Sequence, residues 1–200
     1  RLNIDEDKSI RFVKYNKYRK SFSTYKSTKN EIAVIVAGGT IVPGEADQSE
    51  QLIGGETFLE EIRKARVDKD IKAIVLRVNS PGGEFRASDM IWREIELARK
   101  AKPIIASMSD YAASGGYYIA MGCDTIVAQP HTISGSIGIF GVIFDLSEFM
   151  DNKLGITFDE VRTGKYGDLY TFIRPLNDAE KRFIQKNLED HYNTFTKKAA

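Results

Sequence analysis

The sequence has few of the residues that most directly indicate a chemistry. It contains one cysteine, Cys123, which excludes an internal disulfide and a cysteine-based metal cluster. The net charge is +1, so nothing overall indicates nucleic-acid binding. Only two histidines are present, and no run approaches the roughly 18 apolar residues of a membrane span. We therefore expect no metal, no cofactor and no nucleic-acid partner, and Cys123 as a small buried hydrophobe.

The composition is that of an ordinary globular protein, with 42% apolar and 28% charged residues in 200 positions. Residues 1–30 differ, because they hold nine Lys and Arg against three Asp and Glu. We interpret 1–30 as a basic connecting arm that either contacts anionic lipid or a partner, or is a solvated lead-in. Residues 31–200 then form one domain. Since the first residue is Arg1, we expect a piece of a longer protein.

Apolar runs alternate with amphipathic segments along the domain, a pattern typical of an α/β fold with a mainly parallel sheet covered by helices on both faces. The predicted strands are 31–37, 72–78, 103–109, 125–128, 137–143 and 156–162. The predicted helices are 57–65, 85–100, a turn and helix in 111–122, 146–154, and one that opens with a capping box at Asn177 and Glu180 and runs towards Thr196. Residues 43–55 are predicted to form a loop.

Two strand ends are rich in glycine. Residues 79–83 (NSPGG) follow a buried strand, and paired glycines let the backbone approach a ligand, although strand-to-helix turns often need glycine for shape alone. Ser114 lies in 112–118 (AASGGYY) at a helix entry, where it is either an exposed nucleophile or a plain N-cap. A parallel sheet brings both strand ends to one edge. One end could then donate N–H groups to an oxyanion, and the other the nucleophile.

Three segments together resemble one family of peptidases. These are 78–83 (VNSPGG), 112–120 (AASGGYYIA) and 134–141 (SGSIGIFG), and their order and spacing are similar to those of signal peptide peptidase A, also called protease IV. The resemblance implies a Clp/crotonase-like α/β fold and a Ser/Lys dyad. It implies Ser114 as the nucleophile, Gly83 and Gly115 as the oxyanion hole, and Ser136 beside the catalytic lysine.

The source of the lysine is where this chain departs from the family. Neither His131 nor His191 lies in a glycine-rich segment, so we expect both to be solvated or structural, and a neutral lysine would have to act as the base. In short family members that lysine falls where this chain has Gly167. The chain therefore resembles the C-terminal repeat of a long, two-repeat form, whose N-terminal repeat carries the lysine. The resemblance also implies a truncated C-terminal end, because the family's usual last segment would follow Ala200. Lys165, two positions away, is the alternative base.

By this resemblance we expect a serine endopeptidase that degrades cleaved signal peptides and other apolar unfolded segments. The implied partners are peptide substrates, the N-terminal repeat of the same protein, and further copies in a ring-like homo-oligomer such as a tetramer. The implied location is the bacterial inner membrane, reached through segments absent here, with the catalytic domain facing the periplasm or outer side. Apolar residues after the Ser134 turn are candidates for substrate binding or for core packing: Ile139, Phe140 and Val142.

Two other interpretations remain open. A crotonase-type acyl-CoA enzyme would share the fold and the oxyanion arrangement, but it would use carboxylates and need no serine at the AASGG turn. A catalytically incomplete scaffold or partner-binding domain would be consistent with Gly167, although it would have no use for Ser114 so placed.

Overall fold

The computed structural model describes residues 14, 18, 29–46 and 51–200. Most of the predicted basic arm, 1–30, therefore lies outside the described residues. Within the described part no helix is long and apolar enough to cross a membrane. The same residues contain no group of three or more His, Cys, Asp or Glu that could hold a metal ion.

A six-stranded sheet forms the centre of the domain, and its pairs are parallel. The strand order is β2-β1-β3-β4-β5, and β6 pairs with the end of β4. Register shifts interrupt β1, β3 and β4 near their C-terminal ends, so each long strand continues into the region of the glycine-rich turns. The strands are β1 (Glu31–Val42), β2 (Leu52–Gly54), β3 (Ile71–Gly83), β4 (Ile104–Ala113), β5 (Thr125–Val127) and β6 (Ile133–Gly135).

Helices follow the strands as the sequence pattern predicts. The described helices are α1 (Gly55–Val67), α2 (Phe85–Arg99), α3 (Gly115–Ala120), α4 (Ser147–Leu154) and α5 (Asp178–Ala199). The capping box at the start of α5 is confirmed, because the Asn177 side chain accepts from the backbone N–H of Glu180 and the Glu180 carboxylate accepts from that of Asn177. The α/β fold with a mainly parallel sheet flanked by helices is also confirmed.

The core lies between one face of the sheet and helices α1 to α3. Alternate residues of β1, β3 and β4 point into it, and the apolar faces of the helices close it. Cys123 belongs to this core, and burial raises the pKa of its thiol to about 12, which agrees with its interpretation as a buried hydrophobe. The opposite face is less covered than predicted, since three residues of β1 are 48–65% exposed: Ile32, Val34 and Val36.

Two predicted strands are wrong. Residues 137–143 and 156–162 form no strand, and side chains in them are strongly exposed, as with Phe140 at 85% and Val161 at 96%. An apolar run indicates that side chains are to be buried, but it does not say against which surface. In the described part of the chain the sheet does not include either segment. Two short strands, β2 and β6, instead arise where loops or turns were expected.

Candidate active site

The two glycine-rich turns meet in one cleft at the C-terminal ends of β3 and β4. Ser80 of β3 pairs with Ala112 of β4, which places the turn after each strand beside the other. The cleft measures about 740 Å³. Its lining includes residues of the two turns, of helix α2 and of the segment after β6: Gly82, Gly83, Glu84, Ser88, Ser114, Gly115 and Ser136.

Ser114 has an unusual backbone conformation at the junction of β4 and α3. Its φ is 51° and its ψ is −119°, a region that residues other than glycine rarely adopt. Its backbone N–H donates to the Gly135 carbonyl over 2.8 Å, and its carbonyl accepts from the N–H of Tyr118 over 2.8 Å. The side chain does not cap α3. Ser114 thus occupies the N-cap position without a capping hydrogen bond from its side chain, and it lines the cleft.

Backbone N–H groups lie next to this serine. Gly115 is the first residue of α3, so its N–H has no partner inside the helix. A Cβ placed on Gly115 would lie 3.1 Å from the backbone nitrogen of Gly83, which brings the two predicted oxyanion residues together. The same Cβ would lie 2.5 Å from Oγ of Ser88, so only glycine fits here without a shift of the neighbours. The arrangement offers donors to a negative charge that develops beside Ser114.

Ser136 reaches the cleft through the turn that follows β6. This strand pairs with the end of β4, Ala113 lying opposite Gly135, and the Ser114–Gly135 hydrogen bond ties the two turns together. Ser136 has a positive φ of 53°, and it lines the same cleft as Ser114. Its predicted neighbours Ile139 and Phe140 also line the cleft.

Three other predicted residues lie elsewhere. Val142 is outside the cleft lining, and it is 66% exposed. Lys165 is exposed, with its ammonium 5.5 Å from the centre of the Tyr166 ring, and neither Lys165 nor Gly167 lines the cleft. Among the described residues no lysine lines this cleft.

One wall of the cleft was missed by the sequence analysis. Helix α5 places three side chains there, Leu188, His191 and Phe195, at spacings of three and four residues. His191 is a packed residue, because its ring stacks on Phe85 of α2 with the centroids 4.3 Å apart, but its position in the cleft lining was not predicted. The helical spacing was visible in the sequence. The surface against which that face packs was not.

Tyr118 forms the base of this aromatic wall. Its ring meets Phe195 edge to face at 4.7 Å and Phe85 at 5.5 Å. Its hydroxyl donates to Asp89 over 2.5 Å. Burial, together with the Asp89 carboxylate, raises the pKa of the Tyr118 phenol far above its ordinary value, so the phenol stays protonated and keeps that hydrogen bond.

A strained, uncapped serine beside the free amide at a helix start, on the edge of a parallel sheet, is an arrangement that serine hydrolases use. Residues 96–200 match the sequence profile of peptidase family S49. The chain belongs to this family of serine peptidases.

Individual relatives agree with this assignment. The chloroplastic serine protease SPPA of Arabidopsis thaliana is 40% identical over 206 residues, which cover all of this chain and 30% of that protein. Protease 4 of Salmonella typhi is 40% identical over 94% of this chain and 30% of its own length. Protease 4 of Haemophilus influenzae is 42% identical over 83% of this chain and 26% of its own length. The chain thus spans less than one third of these relatives.

Among solved structures, a mutant of the membrane-bound stomatin-specific protease 1510-N is similar to this chain at a TM-score of 0.39 and 25% sequence identity. The likeness covers 59% of this chain and 51% of that one.

Proposed function

We propose that this chain is the serine-bearing part of a peptidase with a Ser/Lys dyad, and that Ser114 is its nucleophile. The observation that carries the proposal is the conformation of Ser114. It costs on the order of 1–3 kcal/mol of backbone strain, and the hydroxyl caps no helix in return. Strain of this kind is concentrated at functional sites, and Ser114 lies beside the turn that holds the backbone nitrogens of Gly83 and Gly115.

The proposed reaction is acyl transfer to serine. Ser114 Oγ attacks the carbonyl carbon of a peptide bond while its proton passes to a neutral lysine, and the N–H groups of Gly83 and Gly115 donate to the resulting oxyanion. Collapse of this intermediate breaks the C–N bond, and the lysine returns the proton to the leaving amine. Water then hydrolyses the acyl-serine ester by the same steps, releasing the second product and restoring Ser114.

The lysine is proposed to come from an N-terminal repeat of the same protein. Two features support this source: no described lysine lines the cleft, and the chain spans less than one third of its relatives. Ser136, which lines the cleft beside Ser114, would hold the incoming ammonium or amine by its hydroxyl. Lys165 stays the alternative base, and it would need the exposed segment around Gly167 to move towards the cleft.

The proposed substrates are cleaved signal peptides and other apolar, unfolded segments. The cleft supports this class because rings and aliphatic side chains form much of its lining: Phe85, Tyr118, Ile139, Phe140, Leu188 and Phe195. Peptide side chains of the same character would displace water from these surfaces on binding. Val142, predicted as part of this surface, lies outside it.

Assembly into a ring-like homo-oligomer, such as a tetramer, is proposed on the apolar surface that follows β6. Five side chains there are more than half exposed: Phe140, Val142, Phe144, Phe149 and Leu154. Exposed apolar side chains that are concentrated in one segment often mark an interaction site. The proposed location is the bacterial inner membrane, through segments outside this chain, with the catalytic domain on the periplasmic or outer side.

The test is labelling by a fluorophosphonate, which forms a covalent bond with an activated serine. The chain is labelled alone and together with the upstream repeat, across a pH series. We expect negligible labelling alone, because an unassisted hydroxyl is a weak nucleophile, and labelling that rises with pH through the pKa of the base when the repeat is added. Ser114→Ala should abolish the label in both conditions, while Ser109→Ala, a matched change on β4, should leave it unchanged.

Other outcomes would select other functions. Brisk labelling of the chain alone that disappears in Lys165→Ala would move the base to Lys165. Absence of label with and without the repeat would contradict the assignment of Ser114 as the nucleophile. It would favour a catalytically incomplete scaffold domain. A carboxylate-dependent acyl-CoA activity that survives Ser114→Ala would favour the crotonase-type enzyme.

A further inference from the structure

The wall that α5 contributes to the cleft depends on how this helix is held. Leu188, His191 and Phe195 line the cleft, but α5 follows the segment 136–177, most of which is exposed. Phe195 is buried against Tyr118, and the helix ends four residues later at Ala199. The position of the wall is therefore set near the C-terminal end of α5.

One charged residue lies at that end in contact with α2. Lys198, one turn after Phe195, pairs with the carboxylate of Asp89, and its ammonium lies 3.5 Å from the centre of the Trp92 ring. Asp89 and Trp92 are one turn apart on α2, so the ammonium sits between a carboxylate and an aromatic face. We refer to Asp89, Trp92, Tyr118 and Lys198 as the α5 anchor.

The anchor is coupled to the cleft through a shared acceptor. Asp89 accepts from both Lys198 and the Tyr118 hydroxyl, and Tyr118 is the ring on which Phe195 and Phe85 pack. An exposed ion pair contributes little to stability by itself. This lysine side chain is only 21% exposed, however, and it is oriented by two groups of α2, so it restricts where α5 can lie.

We propose that Lys198 is a positioning residue for substrate recognition: by pairing with Asp89 and covering Trp92 it fixes the α5 wall at the distance from Ser114 at which a large apolar side chain of a peptide is held. The inference rests on the proposed function, in that the cleft binds a peptide. It predicts that the anchor affects affinity for large apolar side chains and leaves affinity for small ones unchanged.

The test is peptide binding to the chain carrying Ser114→Ala, so that nothing is cleaved. The probes are a pentapeptide with phenylalanine between alanines and its counterpart with glycine at the centre, titrated by calorimetry. Lys198→Met keeps the aliphatic stem and removes the charge. Lys197→Met is the matched control, because Lys197 is exposed on the same helix turn. Lys198→Arg should keep the ion pair with Asp89. Asp89→Asn removes the negative charge of that ion pair.

We expect Lys198→Met and Asp89→Asn to weaken binding of the phenylalanine peptide about fivefold, with glycine-peptide binding, Lys197→Met and Lys198→Arg within twofold of the parent. Trp92 is the single tryptophan of the chain, so its emission should shift in Lys198→Met and not in Lys197→Met. Unchanged preference for phenylalanine in Lys198→Met, or an equal loss for both peptides, would overturn the inference. Failure of the proposed function is detected separately, by an unlabelled Ser114 in the fluorophosphonate experiment.

Discussion

A Cβ atom on Gly82 would lie 2.8 Å from the Cβ of Ser114 and 2.6 Å from the backbone nitrogen of Gly115. Gly82 also has a φ of 106°, which residues with a side chain rarely adopt. The glycine is therefore required twice, for its conformation and for the close approach of the two turns. This approach is what puts the nucleophile candidate next to the amides.

Gly82→Ala should consequently destabilise the fold and disturb the site together. We expect a loss of about 3 kcal/mol, because the methyl group would meet two backbone atoms and the Cβ of Ser114, none of which can move aside cheaply. Thermal unfolding measures the loss. Gly164→Ala is the control, since nothing lies within 4 Å of its Cβ position, and it should change stability by less than about 0.5 kcal/mol. Equal stability of the two variants would contradict the packing described here.

The strain at Ser114 gives a second prediction. Ser114→Ala keeps the positive φ and should leave the unfolding temperature nearly unchanged, whereas Ser114→Gly relieves the strain and should stabilise the fold by about 1 kcal/mol, after the entropy cost of glycine. Both should lower peptidase activity of the parent enzyme at least ~10³-fold. Calorimetry of the two variants is the measurement, and a Ser114→Gly protein less stable than Ser114→Ala would show that the residue is not strained.

The parts of this site that could be predicted from the sequence are those set by local patterns or by the general geometry of a parallel sheet. The turn at 79–83 and the serine turn could be placed together because parallel strands carry their C-terminal ends to one edge, and the capping box at Asn177 is a local pattern. The α5 wall was not predicted, because the spacing of His191 and Phe195 indicates a helix face without naming its partner. The predictions of strands at 137–143 and 156–162 were wrong for the same reason, because an apolar run does not identify the surface against which it packs.

Lys102 provides a prediction about the framework below the site. Its ammonium donates to three backbone carbonyls, those of Ala65, Asp68 and Ile71, at 2.7–2.8 Å, joining the end of α1 to the start of β3. Lys102→Met should therefore cost about 2 kcal/mol, because these carbonyls lose a charged donor. The unfolding temperature should fall by about 4–8 °C. Lys100→Met, an exposed neighbour, should have little effect, and a similar fall in both variants would contradict the assignment.

The start of α5 predicts a response to acid. The Arg174 guanidinium donates to both carboxylate oxygens of Glu180, at 2.6 and 2.9 Å, and with the Asn177 N–H it lowers the pKa of Glu180 from 4.5 to about 2. A depressed carboxyl pKa adds stability that is complete above pH 4.5 and is lost as the pH falls through about 2.

Glu180→Gln should therefore be less stable than the parent chain at pH 7, and the difference should narrow as the pH approaches 2. Unfolding temperatures between pH 2 and 7 measure it. Asp190 is exposed on the same helix, so the unfolding temperature of Asp190→Asn should show the same dependence on pH as that of the parent chain. If the difference in unfolding temperature between Glu180→Gln and the parent chain stays constant down to pH 2, the Arg174–Glu180 ion pair does not respond to protonation in that range.

The parallel sheet also has a consequence for biosynthesis. Glu31 of β1 pairs with Ile71 of β3, about 40 residues further along the chain, and Ile74 of β3 pairs with Ile104 of β4. Two parallel strands cannot be joined by a hairpin, so each strand can pair only after the crossover segment to its partner has been synthesised. At ~5–20 residues per second, β1 leaves the ribosome seconds before its long partner. During that interval its apolar edge is open to pairing with other nascent chains, and a holding chaperone would be most useful there.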